Sequence, residues 1–110
     1  MLHADVRRTI RLLLLSRRCS RADVAKRLGI HPRTLGRRLQ ESGTTFQALL
    51  DDMRAQMAKQ LLLDTRLPVA RIAAAVGYED PTIFSRAFAR WTGRTPSAFR
   101  AELVARARHG

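Results

Sequence analysis

Nineteen of the 110 residues in this chain are arginine, and two short clusters place three of them among small side chains that suit recognition chemistry. Arg33, Thr34, Gly36 and Arg37 form one cluster; Thr82, Ile83, Ser85 and Arg86 form the other. A guanidinium offers a planar fork of donors that fits paired acceptors, such as O6 and N7 of guanine or two phosphate oxygens. The methyls of Thr and Ile can meet a thymine methyl. At helical spacing each cluster lies opposite an apolar pair, Leu35 and Leu39 in the first and Phe84 and Phe88 in the second. One face of each segment is therefore expected to bury while the other presents donors to solvent.

Catalytic chemistry finds no comparable footing. The sequence pairs no nucleophile with a base and has no glycine-rich phosphate loop. His3, His31 and His109 are scattered without metal-ligand spacing, and Cys19 stands alone, which excludes an internal disulfide and a cysteine zinc cluster. The expectation is a protein that is not an enzyme, with no cofactor and no metal.

The elements that must position the two clusters occur twice. Val24-Ala25-Lys26-Arg27-Leu28-Gly29-Ile30 is answered by Ile72-Ala73-Ala74-Ala75-Val76-Gly77-Tyr78, 48 residues further on. Each is followed by a proline, an arginine-bearing helical pattern and another glycine, Gly43 or Gly93. A short helix, a glycine corner and a second helix make a helix-turn-helix. Ala25 and Ala73 fall where the first helix would cross the second, and a larger side chain there would force the axes apart. In such a unit the first helix braces and the second lies in a major groove.

The rest of the chain reads as helix as well. Residues 4 to 16 put Val6, Ile10, Leu13 and Leu14 on one stripe, with Arg7, Arg8 and Arg11 on the other side. Ser20 is a good N-cap, with Asp23 at the third helical position, for a helix through Leu28. Pro32 suits the first turn of a helix reaching about Ser42. Thr44 or Thr45 caps a longer helix from Phe46 to about Leu63, broken by Asp64-Thr65-Arg66-Leu67-Pro68. A bracing helix follows from Val69 to about Val76. Asp80 then caps a helix that starts at Pro81 and runs to Thr92, and Thr95 and Pro96 open a last one carrying Phe99 and Leu103. The segment from Val104 to Gly110 reads as a basic, fraying tail. The fold class expected is all-α: seven helices forming two helix-turn-helix subdomains joined by a long connecting helix. The divisions are 1–45 for the first helix and first subdomain, 46–64 for the connector, 65–104 for the second subdomain and 105–110 for the tail.

A net charge of +12 opposes compaction and points to a polyanionic partner. The longest apolar run, Ile10 to Leu15, is interrupted by Arg11 and is far too short to span a bilayer, and no signal-peptide pattern opens the chain. A cytoplasmic, non-membrane protein is expected. A connector of about 18 residues would span about 27 Å, and major grooves on one face of DNA recur about every 34 Å. Two reading helices in neighbouring groove segments are therefore compatible with this length, given modest bending.

The run Ile72-Ala73, Val76-Gly77-Tyr78, Phe84-Ser85-Arg86-Ala87-Phe88 and Trp91-Thr92-Gly93-Arg94-Thr95-Pro96-Ser97-Ala98-Phe99-Arg100 resembles the signature of the AraC/XylS family of bacterial transcription regulators. Gly43, Phe46, Arg54, Ala58, Leu61 and Leu62 match that family's connecting-helix pattern. The likeness runs from about Ser20 to Arg100. It implies sequence-specific binding of double-stranded DNA, usually to activate transcription, often through contact with RNA polymerase. Carried over by position, the base-reading candidates are Arg33, Gly36 and Arg37 in the first copy and Pro81, Thr82, Ser85 and Arg86 in the second. Arg90 and Arg94 are phosphate candidates. His31 is foremost a helix-start residue that can also approach a phosphate.

Three departures qualify the carry-over. Gly36 has no side chain where a reading one is expected, and Pro81 offers only apolar contact. The first copy is one residue shorter from its glycine to its inward residue (Gly29 to Leu39 against Gly77 to Phe88), so the two reading helices need not present themselves alike. Most family members also carry an effector or dimerisation domain; this chain reads as the DNA-binding half of such a regulator, the alternative being a small single-domain one. Each monomer is expected to occupy an asymmetric site. The rival reading is a basic module that binds nucleic acid or RNA polymerase without reading sequence.

Overall fold

The computed structural model describes residues 2–15 and 19–109. Among them are seven helices and no strand: α1 (Leu2–Leu15), α2 (Arg21–Leu28), α3 (Pro32–Glu41), α4 (Phe46–Asp64), α5 (Val69–Ala75), α6 (Pro81–Thr92) and α7 (Pro96–His109). No helix among the described residues is long and apolar enough to cross a membrane. The chain divides into two compact units, Met1–Met53 and Arg54–Gly110, so the division falls inside α4.

In the first unit α1 packs on α2 and α2 on α3. Val6, Ile10 and Leu14 of α1 are buried, as are Val24 and Ala25 of α2, Leu35 and Leu39 of α3, and Leu49, Leu50 and Met53 of α4. Ser20 caps α2: its hydroxyl accepts from the Asp23 N–H at 3.1 Å and donates to the Asp23 carboxylate at 2.7 Å. Thr45, rather than Thr44, caps α4 by accepting from the Ala48 N–H. Of the arginines expected on the outer side of α1, Arg7 instead turns to Asp52 on α4 and is half-buried there. Ser16, which the sequence reading includes in α1, lies outside the described residues.

The second unit is built on Ala58, Leu62, Ile72, Ala73, Val76, Phe84 and Phe88, with Tyr78, Trp91 and Phe99 packed around them. Tyr78, Phe84, Phe88 and Phe99 form a chain of tilted and edge-on rings with centroids 5.6–5.9 Å apart, and Trp91 meets Tyr78 edge-on at 6.0 Å. These are favourable aromatic geometries, and they make the rings part of this unit's core. Burying Phe84 and Phe88 contributes about 2–3 kcal/mol each. Arg100 closes this unit from α7 by donating to the carbonyls of Leu62, Thr65 and Leu67, just where α4 runs out of intrahelical partners.

α7 continues to His109, so Val104 to His109, read from the sequence as a tail, are helical. An i,i+4 ion pair between Glu102 and Arg106 supports its exposed face.

Candidate nucleic-acid interface

Each cluster stands on a helix aimed by the same local device. At the end of α2, Gly29 takes φ 73°, its N–H meets the Lys26 carbonyl and the Ile30 N–H meets the Ala25 carbonyl. At the end of α5, Gly77 takes φ 94°, its N–H meets the Ala74 carbonyl and the Tyr78 N–H meets the Ala73 carbonyl. This paired closure is the Schellman motif, and its left-handed residue is cheap only for glycine. The two crossing alanines thus have a second task, since their carbonyls accept the bond that reverses the chain. Both side chains are fully buried.

After each corner the reading helix begins with a capped proline. His31 Nδ1 accepts from the Arg33 N–H at 3.1 Å, and the Asp80 carboxylate accepts from the Thr82 N–H at 2.8 Å. Pro32 and Pro81 then occupy the first helical turn. Counted from those prolines the two helices are in register: Leu35 and Leu39 match Phe84 and Phe88, Gly36 matches Ser85, and Arg37 matches Arg86. The one-residue difference between the copies is therefore taken up in the turn, which is longer after Gly77 than after Gly29. Within the two helices these matched apolar positions are buried, and the outward side chains differ.

Opposite the buried pairs, the predicted readers stand where the sequence places them. Arg33 and Arg37 are exposed on α3, with Thr34 and Gly36 half-exposed beside them. On α6, Pro81, Thr82, Ile83 and Arg86 are exposed and Ser85 is half-exposed. Ile83 shows 54% of its surface to solvent on this face. Arg90 lies one turn further along the exposed side of α6.

The geometry sorts the arginines by task. Arg7, Arg94 and Arg100 are held by protein partners: Arg7 by Asp52, Arg94 by Glu102, and Arg100 by three carbonyls. Arg54 lies with its guanidinium over the Tyr78 ring, 5.0 Å from the centroid, and against Gly77. Arg37 has a loose pairing with Glu41 at 3.7 Å, between two well-exposed side chains, which contributes little. Arg33, Arg86 and Arg90 form no ion pair among the described residues.

One residue missed by sequence reasoning joins the first cluster. Arg21, the first residue of α2, reaches across so that its Nη1 stands 3.5 Å from the place a Cβ on Gly36 would occupy. Arg21, Arg33, Gly36, Arg37, Gln40 and Thr45 line a recess of about 350 Å³ on this face. Its signal in the sequence was faint: four residues ahead of Ala25 stands Arg21, whereas four residues ahead of Ala73 stands Val69.

Comparison with known proteins agrees with this geometry. Residues 24–102 match a family model described as a helix-turn-helix domain. The chain is 43% identical over 94 residues to the ornithine utilization regulator of Pseudomonas aeruginosa, covering 83% of this chain and 28% of that protein. It is 38% identical over 81 residues to the arabinose operon regulatory protein of Escherichia coli K12, covering 73% of this chain and 28% of that protein. The chain thus spans little more than a quarter of the length of these relatives. The crystal structure of the DNA-binding domain of AdpA, a global transcriptional factor, in complex with a target DNA, superimposes with a TM-score of 0.77 at 26% identity, over 96% of this chain and 97% of that one.

Proposed function

Since this chain belongs to the AraC/XylS family of helix-turn-helix transcription regulators, we propose that it binds double-stranded DNA in a sequence-specific way and regulates transcription by doing so. The observation that carries this reading is the pair of in-register helices, each buried on one side through Leu35 and Leu39 or Phe84 and Phe88, with arginines on the other. In the proposed complex α3 and α6 occupy neighbouring major-groove segments. Arg33, Thr34, Gly36 and Arg37 face base edges in one, and Pro81, Thr82, Ile83, Ser85 and Arg86 in the other. Arg90 engages a phosphate, and His31 lies near another. Arg94 is the weaker phosphate candidate, because Glu102 already holds its guanidinium.

The chain works by binding and not by catalysis. In a bacterial cytoplasm it acts as an activator through contact with RNA polymerase, and an effector or dimerisation domain accompanies it. Since α3 and α6 carry different side chains in one register, each monomer occupies an asymmetric site. Selection of bound duplexes from a random pool tests the core of this reading. A recovered site with two separated blocks of preference is expected, and scrambled duplex should compete poorly. Equal competition by scrambled duplex would leave only a basic module without sequence readout.

A further inference from the structure

The recess over Gly36 has a feature that its counterpart lacks. In the first unit the residue at the centre of the reading face is Gly36, and the first residue of the bracing helix is Arg21. In the second unit the corresponding residues are Ser85 and Val69, and Val69 packs against the core. The two positions differ together: where the reading helix bears no side chain, the bracing helix sends a guanidinium over the bare backbone. A Cβ on Gly36 would meet Nη1 of Arg21 in ordinary contact at 3.5 Å, so that guanidinium borders the space a side chain at this position would start from.

The electrostatics point the same way. Arg21, Arg33 and Arg37 converge on one recess, and among the described residues the one ion pair these three make is that of Arg37 with the exposed Glu41. Three like charges around a small concavity repel one another unless acceptors enter it. Arg21 is exposed and takes part in no hydrogen bond or ion pair with another described residue, so packing gives no reason for its placement.

We propose that Arg21 is a base-reading residue of the first unit, supplying from α2 the donor fork that position 36 on α3 lacks, with the paired acceptors of a guanine edge as its target. The proposal rests on the DNA-binding reading above and extends it to a residue outside the reading helix. It turns the first unit from a reader weakened by glycine into one whose central contact comes from its bracing helix.

Site selection with the wild-type chain and with Arg21→Ala tests this, alongside binding to the preferred duplex over a range of salt concentrations. Thermal melting of both proteins accompanies it. If the wild-type chain enriches no site, the DNA-reading proposal itself fails. Given an enriched site, Arg21→Ala is expected to melt like the wild type, relax preference at one base-pair column in the block read by α3, and weaken the preferred duplex roughly ten- to a hundredfold. Arg11→Ala, which removes a charge from the exposed face of α1, should leave every column unchanged. An unaltered profile for Arg21→Ala overturns the proposal. So does uniform weakening of all duplexes with a salt slope flatter by about one, which marks a phosphate contact. A column relaxed equally by Arg11→Ala would reduce the effect to net charge and overturn it too.

Discussion

Arg86 and Gly77 show how much rests on single residues in the second unit. Arg86 stands exposed on α6 with no ion pair among the described residues, so its guanidinium is available to an incoming acceptor pair. Replacing it by alanine should cost about 1–3 kcal/mol of binding and relax preference at one base position, measured by titrating a panel of single-base variants of the selected site. A penalty spread evenly over the panel would make Arg86 a phosphate contact instead. Gly77 acts through the fold. At φ 94° a side chain is strained, and a Cβ would also press on Arg54 Nη2 at 3.3 Å. Gly77→Ala should therefore lower unfolding stability by about 1–2 kcal/mol in a denaturant titration. An unchanged midpoint would mean that the corner relaxes without penalty.

Among the elements, α6 depends on a cap and on a core pair. Asp80 satisfies the first free amides of α6 through Thr82 and Ile83. Asp80→Ala should cost about 1 kcal/mol of stability in a urea titration. Phe88 is fully buried between the rings of Phe84 and Phe99, so Phe88→Ala should cost about 3–5 kcal/mol. Circular dichroism would follow that loss, and retention of the wild-type melting curve would contradict the ring chain as a source of stability. The elements were also the most legible part of the sequence. The caps at Ser20 and Asp80, the first-turn prolines Pro32 and Pro81, and the break between Asp64 and Pro68 act over a few residues, so local chemistry decides them. Two features escaped for the same reason. The extra residue of the second copy sits in its turn, where spacing from Gly77 to Phe88 cannot reveal it. The far end of α7 reads as a basic tail because its arginines hide the support that Glu102 gives.

For the whole molecule the governing quantity is charge. With a formal net charge of +12, the logarithm of DNA affinity should fall linearly with the logarithm of salt concentration, and each phosphate contact adds about 0.9 to the slope. Arg90→Ala should weaken all sequences alike and flatten that slope by about one, read from binding isotherms at several salt concentrations; a change confined to one base column would make Arg90 a reader. By itself, the sequence determined the class of the protein. The doubled alanine-to-glycine pattern, its helical periodicities and its caps are local, and local rules suffice to derive two helix-turn-helix units and the outward faces of α3 and α6. Only the tertiary structure decided which arginines those faces can spend on a partner. Arg94 and Arg100 look like Arg86 and Arg90 in sequence, yet the first two are held by Glu102 and by the end of α4. Arg21, a helix-start residue in the sequence, comes to lie over Gly36. An arginine side chain is long enough to reach another element, so its task is set by what the fold brings within its reach and not by its neighbours in the chain.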